Sequence, residues 1–340
     1  MKTQVAKPFL TSLKICLATL FLVLAFLAGR VSSSANLNIA KSSQNEDDDR
    51  GAQIREGGFK FINPLLECEV AQNAEFKELT LLRASVINRI EDLKKKGVTH
   101  VSLYFRDLNN GPWIGINEKE QFRPASLAKV PVLIAYLKNS ESSPSLLYKE
   151  AMFKEEINQM PQFFKPKNEI QPNIRYTVND LLVRMIKFSD NKATQLLVSM
   201  ATDEELITPF RELGLTTPDV NSDFEIRVKD YATFFRVLFN AAYLNKHNSE
   251  MALELLTSTE FRDGLVAGVP SDIQVAHKFG EREFDASQEK QLHDCGVIYY
   301  PGHPYLLCVM TRGKDFPTLT TAIKDLSKLV YSEVDAQARK

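Results

Sequence analysis

The chain has 340 residues, a formal net charge of −1 and four cysteines. A near-neutral balance with no basic stripe excludes the electrostatic footprint of a nucleic-acid binder. The cysteines lack the spacing of metal ligands, so no metal and no cofactor is expected.

In chain order, Lys2, Lys7 and Lys14 precede an uncharged, mainly apolar run from Ile15 to Gly29, closed by Arg30. Counted back to Phe9, with the Lys14 ammonium reaching the cytoplasmic face, the run is long enough to span a bilayer. The lysines before it place the N-terminus inside. Residues 1–31 therefore read as a membrane anchor or signal segment. An uncleaved, single-pass anchor is expected, because Ala28-Gly29-Arg30 makes a poor cleavage site; cleavage near Ser33-Ser34-Ala35 would instead release a secreted protein. Residues 32–56, with Ser32-Ser33-Ser34 and Glu46-Asp47-Asp48-Asp49, hold too few large apolar side chains to form a core and read as a flexible linker. The rest, 57–340, is enough for one domain of two lobes.

Within it, hydrophobic periodicity predicts a helix over about 74–96, ending at Lys94-Lys95-Lys96, then strands at 99–106 and 112–118 around the Asn109-Asn110-Gly111 turn. Helices fill 126–257. Strands follow at 273–283, 292–300 and 304–311, and a helix near 316–333 closes the chain. The two ends supply an antiparallel sheet and the middle an all-helical lobe. The fold class is α+β, with an antiparallel sheet flanked by helices, a helical lobe against it, and the active site at the seam.

Three strings lie across that seam in order: Ser126-Leu127-Ala128-Lys129, Ser189-Asp190-Asn191 and Lys278-Phe279-Gly280. A serine hydroxyl is a poor nucleophile at neutral pH and needs a base within hydrogen-bond reach. Lys129, one helical turn after Ser126, is placed to be that base once burial and a second cation, Lys278, have lowered its pKa. At the start of a helix the Ser126 N–H is an unpaired donor suited to a developing oxyanion. Ser189 can relay a proton to a leaving nitrogen, Asn191 can orient the substrate and Lys129, and Asp190 can brace the corner. Lys278 offers charge to a substrate carboxylate, Gly280 permits close backbone approach, and the Glu281 N–H is a candidate second oxyanion donor. Each string has an ordinary reading as well: a serine at the start of a core helix, a capped corner between two helices, and the end of a strand.

Taken together, and with the hairpins at Val101–Asn117 and Cys295–Met310, these residues resemble the penicillin-recognising serine enzymes, in particular the class A β-lactamases, over about residues 72 to 337. The resemblance implies a β-lactamase/transpeptidase-like fold and an acyl-enzyme on Ser126. Two departures stand out. The usual Lys-Thr-Gly has Phe279 for its threonine, which removes a hydroxyl from carboxylate recognition. The loop between the Ser-Asp-Asn corner and the strand is shortened and has no Glu-x-x-Leu-Asn string for the deacylating water; Glu225 is the nearest substitute, otherwise an ordinary solvated carboxylate.

The expected protein is a membrane-anchored, extracytoplasmic, monomeric serine hydrolase acting on a small-molecule β-lactam, with slow deacylation. Alternatives are a D-alanyl-D-alanine peptidase acting on the peptidoglycan stem peptide, or a wall-peptide-binding module without catalysis. No nucleic-acid partner is expected. Centring the last hairpin on Pro301–Pro304 offsets Cys295 from Cys308 by two positions, too far for a bridge, and leaves pairing of Cys68 with one of them open. His293 and Asp294, adjacent on one strand, should face opposite sides, which argues against a Cys-His-Asp site with Cys295.

Overall fold

The computed structural model describes residues 53–68, 77–109, 111–154, 162–219, 223–284 and 288–339. The expected membrane segment, Phe9 to Gly29, and most of the linker lie outside them. Among the described residues no helix is long and apolar enough to cross a membrane.

Strands β1 (Gln53–Arg55) and β2 (Leu65–Cys68) form a short antiparallel ribbon. Helix α1 (Lys77–Lys94), β3 (Val98–Asp107), β4 (Trp113–Ile116) and β5 (Gln121–Phe122) follow. A 3-10 turn at Ala125–Ala128 runs directly into α2 (Lys129–Ser142). The middle of the chain holds β6 (Glu150–Met152), β7 (Arg175–Thr177), α3 (Val178–Lys187), α4 (Asn191–Met200), α5 (Asp203–Glu212), β8 (Ile226–Arg227), α6 (Val228–Phe239) and α7 (Lys246–Thr257). Strands β9 (Val275–Glu283), β10 (Lys290–Ile298) and β11 (Tyr305–Gly313) lead to the closing helix α8 (Phe316–Ala338).

The main sheet has the order β4-β3-β11-β10-β9, with every neighbouring pair antiparallel. The early hairpin thus joins the late meander, and β9 is left at an edge. Side chains alternate across the sheet. Ala276, Cys295, Val297, Leu306, Cys308 and Met310 pack with α2, α3, α6 and α7, whereas Val275, Phe279, Leu292, Leu307 and Val309 pack with α1 and α8. In α1 the residues committed to that second layer are Leu79, Leu82, Val86, Ile90 and Leu93, a helical spacing that makes one apolar stripe. The expected α+β architecture is present. Two short ribbons break the all-helical middle: β6 pairs with β7, and β5 pairs with β8. Each is only two or three residues long, too short to leave a period in the sequence.

The last hairpin corrects the sequence reading. Its turn closes through the His303 N–H donating to the Tyr300 carbonyl at 3.0 Å, with Pro301 and Gly302 at the centre and Gly302 at φ +76°. Proline followed by a left-handed glycine is the chemistry of that four-residue turn. Centring it one position earlier than Pro301–Pro304 puts Cys295 directly opposite Cys308, Cα atoms 4.0 Å apart and the sulfurs joined as a disulfide. Neither cysteine is then left for Cys68.

Candidate active site

Ala125 has φ +50° and Ser189 φ +56°, left-handed conformations that cost a non-glycine residue about 1–3 kcal/mol and persist only where the surroundings impose them. Beyond Ala125, Ser126 lies in the 3-10 turn rather than in the α-helix proper. Three residues per turn eclipse positions i and i+3, so Ser126 and Lys129 share a face more closely than α-helical geometry would allow. Three contacts fix the turn. Tyr231 of α6, fully buried, donates its hydroxyl to the Leu127 carbonyl at 3.0 Å. His293 of β10 places Nε2 3.0 Å from the Arg123 carbonyl, while its Nδ1 accepts from the Thr311 N–H at 3.3 Å. Those bonds suit a neutral imidazole with its hydrogen on Nε2, and burial pulls the His293 pKa down to about 4. Gly280 of β9 is the third. A Cβ there would stand 2.7 Å from the Pro124 carbonyl oxygen and 3.1 Å from the Ser126 nitrogen, so glycine is required for strand and turn to meet.

Polar groups from the three strings converge in front of the turn. Lys129 Nζ donates to the Ser189 carbonyl (2.7 Å), Ser189 Oγ (3.0 Å) and Asn191 Oδ1 (2.8 Å). Lys278 Nζ donates to the same Ser189 Oγ at 3.0 Å and to the Phe279 carbonyl at 2.8 Å. Ser189 Oγ therefore bridges two buried ammonium groups. Burial holds Lys129 down at about 7, against the upward pull of Asp190 and Glu281. Lys278 lies far below the ordinary lysine value through burial first and the charge of Lys129 second. A neutral Lys129 has two hydrogens for three acceptors, so one bond is released and a lone pair becomes free. Asp190 sits behind, as expected: Oδ1 caps α4 by accepting from the Lys192 and Ala193 N–H groups, and Oδ2 accepts from Ile170 at 2.7 Å. Ser126 itself is partly exposed, and among the described residues its hydroxyl has no hydrogen-bond partner. The arrangement pairs an accessible hydroxyl with a buried amine that titrates near neutrality.

A scan against protein families matches the β-lactamase enzyme family over residues 83–334. The chain belongs to that family. Solved structures agree on the fold. A protein called PBP-A is 22% identical with a TM-score of 0.63, covering 76% of this chain and 97% of its own. A β-lactamase from Xanthomonas campestris is 20% identical with a TM-score of 0.65, covering 74% and 97% respectively. A class A β-lactamase from Mycobacterium abscessus is 21% identical with a TM-score of 0.62, covering 74% and 99%. Family and fold together make this β-lactamase-family member a serine hydrolase.

The structure brings together Ser126, Lys129, Ser189, Asn191, Lys278, Gly280 and Glu281. Phe279 turns to the other face of β9 and stacks on Phe261 at 4.2 Å between ring centroids. Glu225 is exposed, and its neighbour Asp223 is held by the Arg123 guanidinium and by both terminal nitrogens of Arg282, at 2.7 and 2.6 Å. Sequence reasoning separated His293 from Asp294 correctly but did not find its hold on Arg123, nor Tyr231. Both act on carbonyls far away in the chain, and no local pattern marks such a contact.

Proposed function

We propose that Ser126 attacks a β-lactam carbonyl to give an acyl-enzyme that is hydrolysed slowly. Neutral Lys129 takes the Ser126 proton, and the Ser126 and Glu281 N–H groups receive the oxyanion. Ser189, polarised by Lys278 and hydrogen-bonded to the base, passes a proton to the leaving nitrogen. Asn191 holds Lys129 and the substrate amide. The observation that carries this reading is the Ser189 hydroxyl lying 3.0 Å from both lysine ammonium groups, one of which titrates at about 7. A variant of PBP-A has been solved as an acyl-enzyme complex with penicillin G, which supports a β-lactam as acyl donor.

Slow deacylation rests on the short segment between α5 and β8, whose Asp223 is spent on two arginines. Among the described residues no glutamate of that segment hydrogen-bonds to Ser126, and Glu225 is exposed. The same feature favours, as the second reading, a D-alanyl-D-alanine peptidase of the transpeptidase type, since that enzyme hands its acyl group to an amine instead of to water. The apolar segment from Phe9 to Gly29 supports a single-pass anchor with the catalytic domain outside the cytoplasm. Intact mass after exposure to penicillin G tests the chemistry: an adduct on Ser126 that persists for minutes is expected. Fast steady-state turnover with no burst and no adduct would refute the slow step, and a Ser126→Ala protein that still acylates would refute the nucleophile.

A further inference from the structure

Strand β9 gives the site a direction. Its residues 278, 280 and 282 lie on one face, because side chains alternate along a strand. Lys278 Nζ meets the hydroxyl of Ser189, the group that would protonate a leaving nitrogen, at 3.0 Å. Two residues on, Gly280 faces the Ser126 turn, where a Cβ would stand 3.1 Å from the Ser126 nitrogen, one of the oxyanion donors of the proposed reaction. A substrate with its carbonyl at that turn and its leaving nitrogen at Ser189 therefore extends its acyl portion the other way. It runs toward Arg282, about 7 Å farther along the strand.

At that end stands a group of charges with no part in the reaction so far. Both terminal nitrogens of Arg282 donate to Asp223, at 2.7 and 2.6 Å, and Arg123 Nη1 donates to the same carboxylate. The two guanidinium groups also share the ring of Phe284, at 5.0 Å from its centroid for Arg282 and 5.6 Å for Arg123. Hydrogen bonding to Arg282 first, and the charges of both arginines, hold the Asp223 carboxyl below the usual carboxylate range, so it is an anion at neutral pH. Two cations on one anion leave a surplus positive charge. It resides on Arg123, whose side chain is 31% exposed and whose Nε and Nη2 have no acceptor among the described residues. Arg123 is also fixed relative to the nucleophile, three residues before it and with its carbonyl 3.0 Å from His293 Nε2. A planar guanidinium with two donors unengaged matches a carboxylate.

We propose, on the acyl-enzyme reading above, that Arg123, Asp223 and Arg282 form an acyl-side subsite in which Arg123 selects acyl donors carrying a carboxylate on the acyl portion. Asp223 orients the Arg123 guanidinium and tempers its charge. Carbenicillin, penicillin G and ampicillin test this, because they share one ring system and differ at one side-chain carbon, which bears a carboxylate, a hydrogen or an ammonium. Second-order acylation by each is read by intact mass in the wild type, Arg123→Gln and Asp223→Asn. Contacts to the common ring and any general loosening of the site cancel in the ratios. Wild type should acylate in the order carbenicillin, penicillin G, ampicillin, with steps of about three- to fivefold, the scale of a partly exposed charge pair. Arg123→Gln should bring the three rates within about twofold of one another, and Asp223→Asn should widen the steps. Equal rates in the wild type, an order that Arg123→Gln leaves intact, or steps that narrow in Asp223→Asn would overturn the subsite and leave the acyl-enzyme reading standing. No adduct with any of the three would overturn both.

Discussion

On one face of β9 and β10, Lys278 and His293 look toward the Ser126 turn; on the other, His277 and Asp294 look into the layer beneath α8. Both sets are sealed from solvent. His277 Nδ1 lies 2.8 Å from Asp294 Oδ1, Asp294 Oδ2 accepts from the Leu265 N–H at 2.9 Å, and neither side chain has exposed surface. A buried His–Asp pair is a familiar sign of catalysis, yet among the described residues this one hydrogen-bonds to no exposed hydroxyl or thiol. The less conspicuous set on the seam face gathers groups from four distant stretches of chain around one accessible hydroxyl. Burial and polarity therefore do not mark the site. Convergence on a reactive atom that solvent can reach does.

The largest effects should fall on the seam face. Ser126→Ala should abolish the penicillin adduct, and Lys129→Ala should slow acylation by about 10³-fold, since it removes the proton acceptor. Stopped-flow acylation read by mass checks both, and a Lys129→Ala rate near that of wild type would assign the base elsewhere. On the outer face the pattern should invert. Asp294→Ala leaves His277 and the Leu265 N–H buried without their partner, so urea unfolding should show a loss of about 3–5 kcal/mol. The protein that remains folded should acylate within about twofold of wild type. A large acylation defect in that variant, at unchanged stability, would give the His277–Asp294 pair a part in the chemistry.

Changing pH should act on the seam through its base. The base must be neutral, and burial sets Lys129 at about 7. Acylation at low substrate concentration should therefore fall about tenfold per unit as pH drops below about 7 and level off above it. His293, held down at about 4, stays neutral over that range and keeps the Ser126 turn in place. A rate that is flat from pH 5 to 8 would mean that Lys129 is not the base. The smallest effect is reserved for a residue remote from both sets. Thr177 caps α3 in a reciprocal box with Asp180, and Thr177→Ala should cost about 1 kcal/mol in denaturant with acylation unaltered.

Much of the site was legible before any coordinates. The hydroxyl–amine spacing at Ser126 and Lys129, the corner at Ser189 and the strand at Lys278 are local patterns, and each is set by chemistry that tolerates few substitutes. Helix and strand order could be read too, because α1 and the late strands repeat their apolar residues at the period of the element. Register could not. One position at the Tyr300–His303 turn separates a pair of cysteines judged too distant from a pair joined across the strands, and a one-residue shift in a turn leaves the alternation on either side looking the same.

The amino-acid sequence by itself determined the family, the α+β layout, the candidates for nucleophile and base, and the loss of the threonine and of the Glu-x-x-Leu-Asn string. All of these depend on residue type and short spacing. Only the tertiary structure decided which polar groups serve the site. It put His293 under the Ser126 turn, set Ser189 between two lysines, and gathered Arg123 and Arg282 on Asp223. Those are meetings of residues more than fifty positions apart, and they exist only where packing of the two layers against the sheet leaves one low-energy place for each carbonyl, amine and carboxylate.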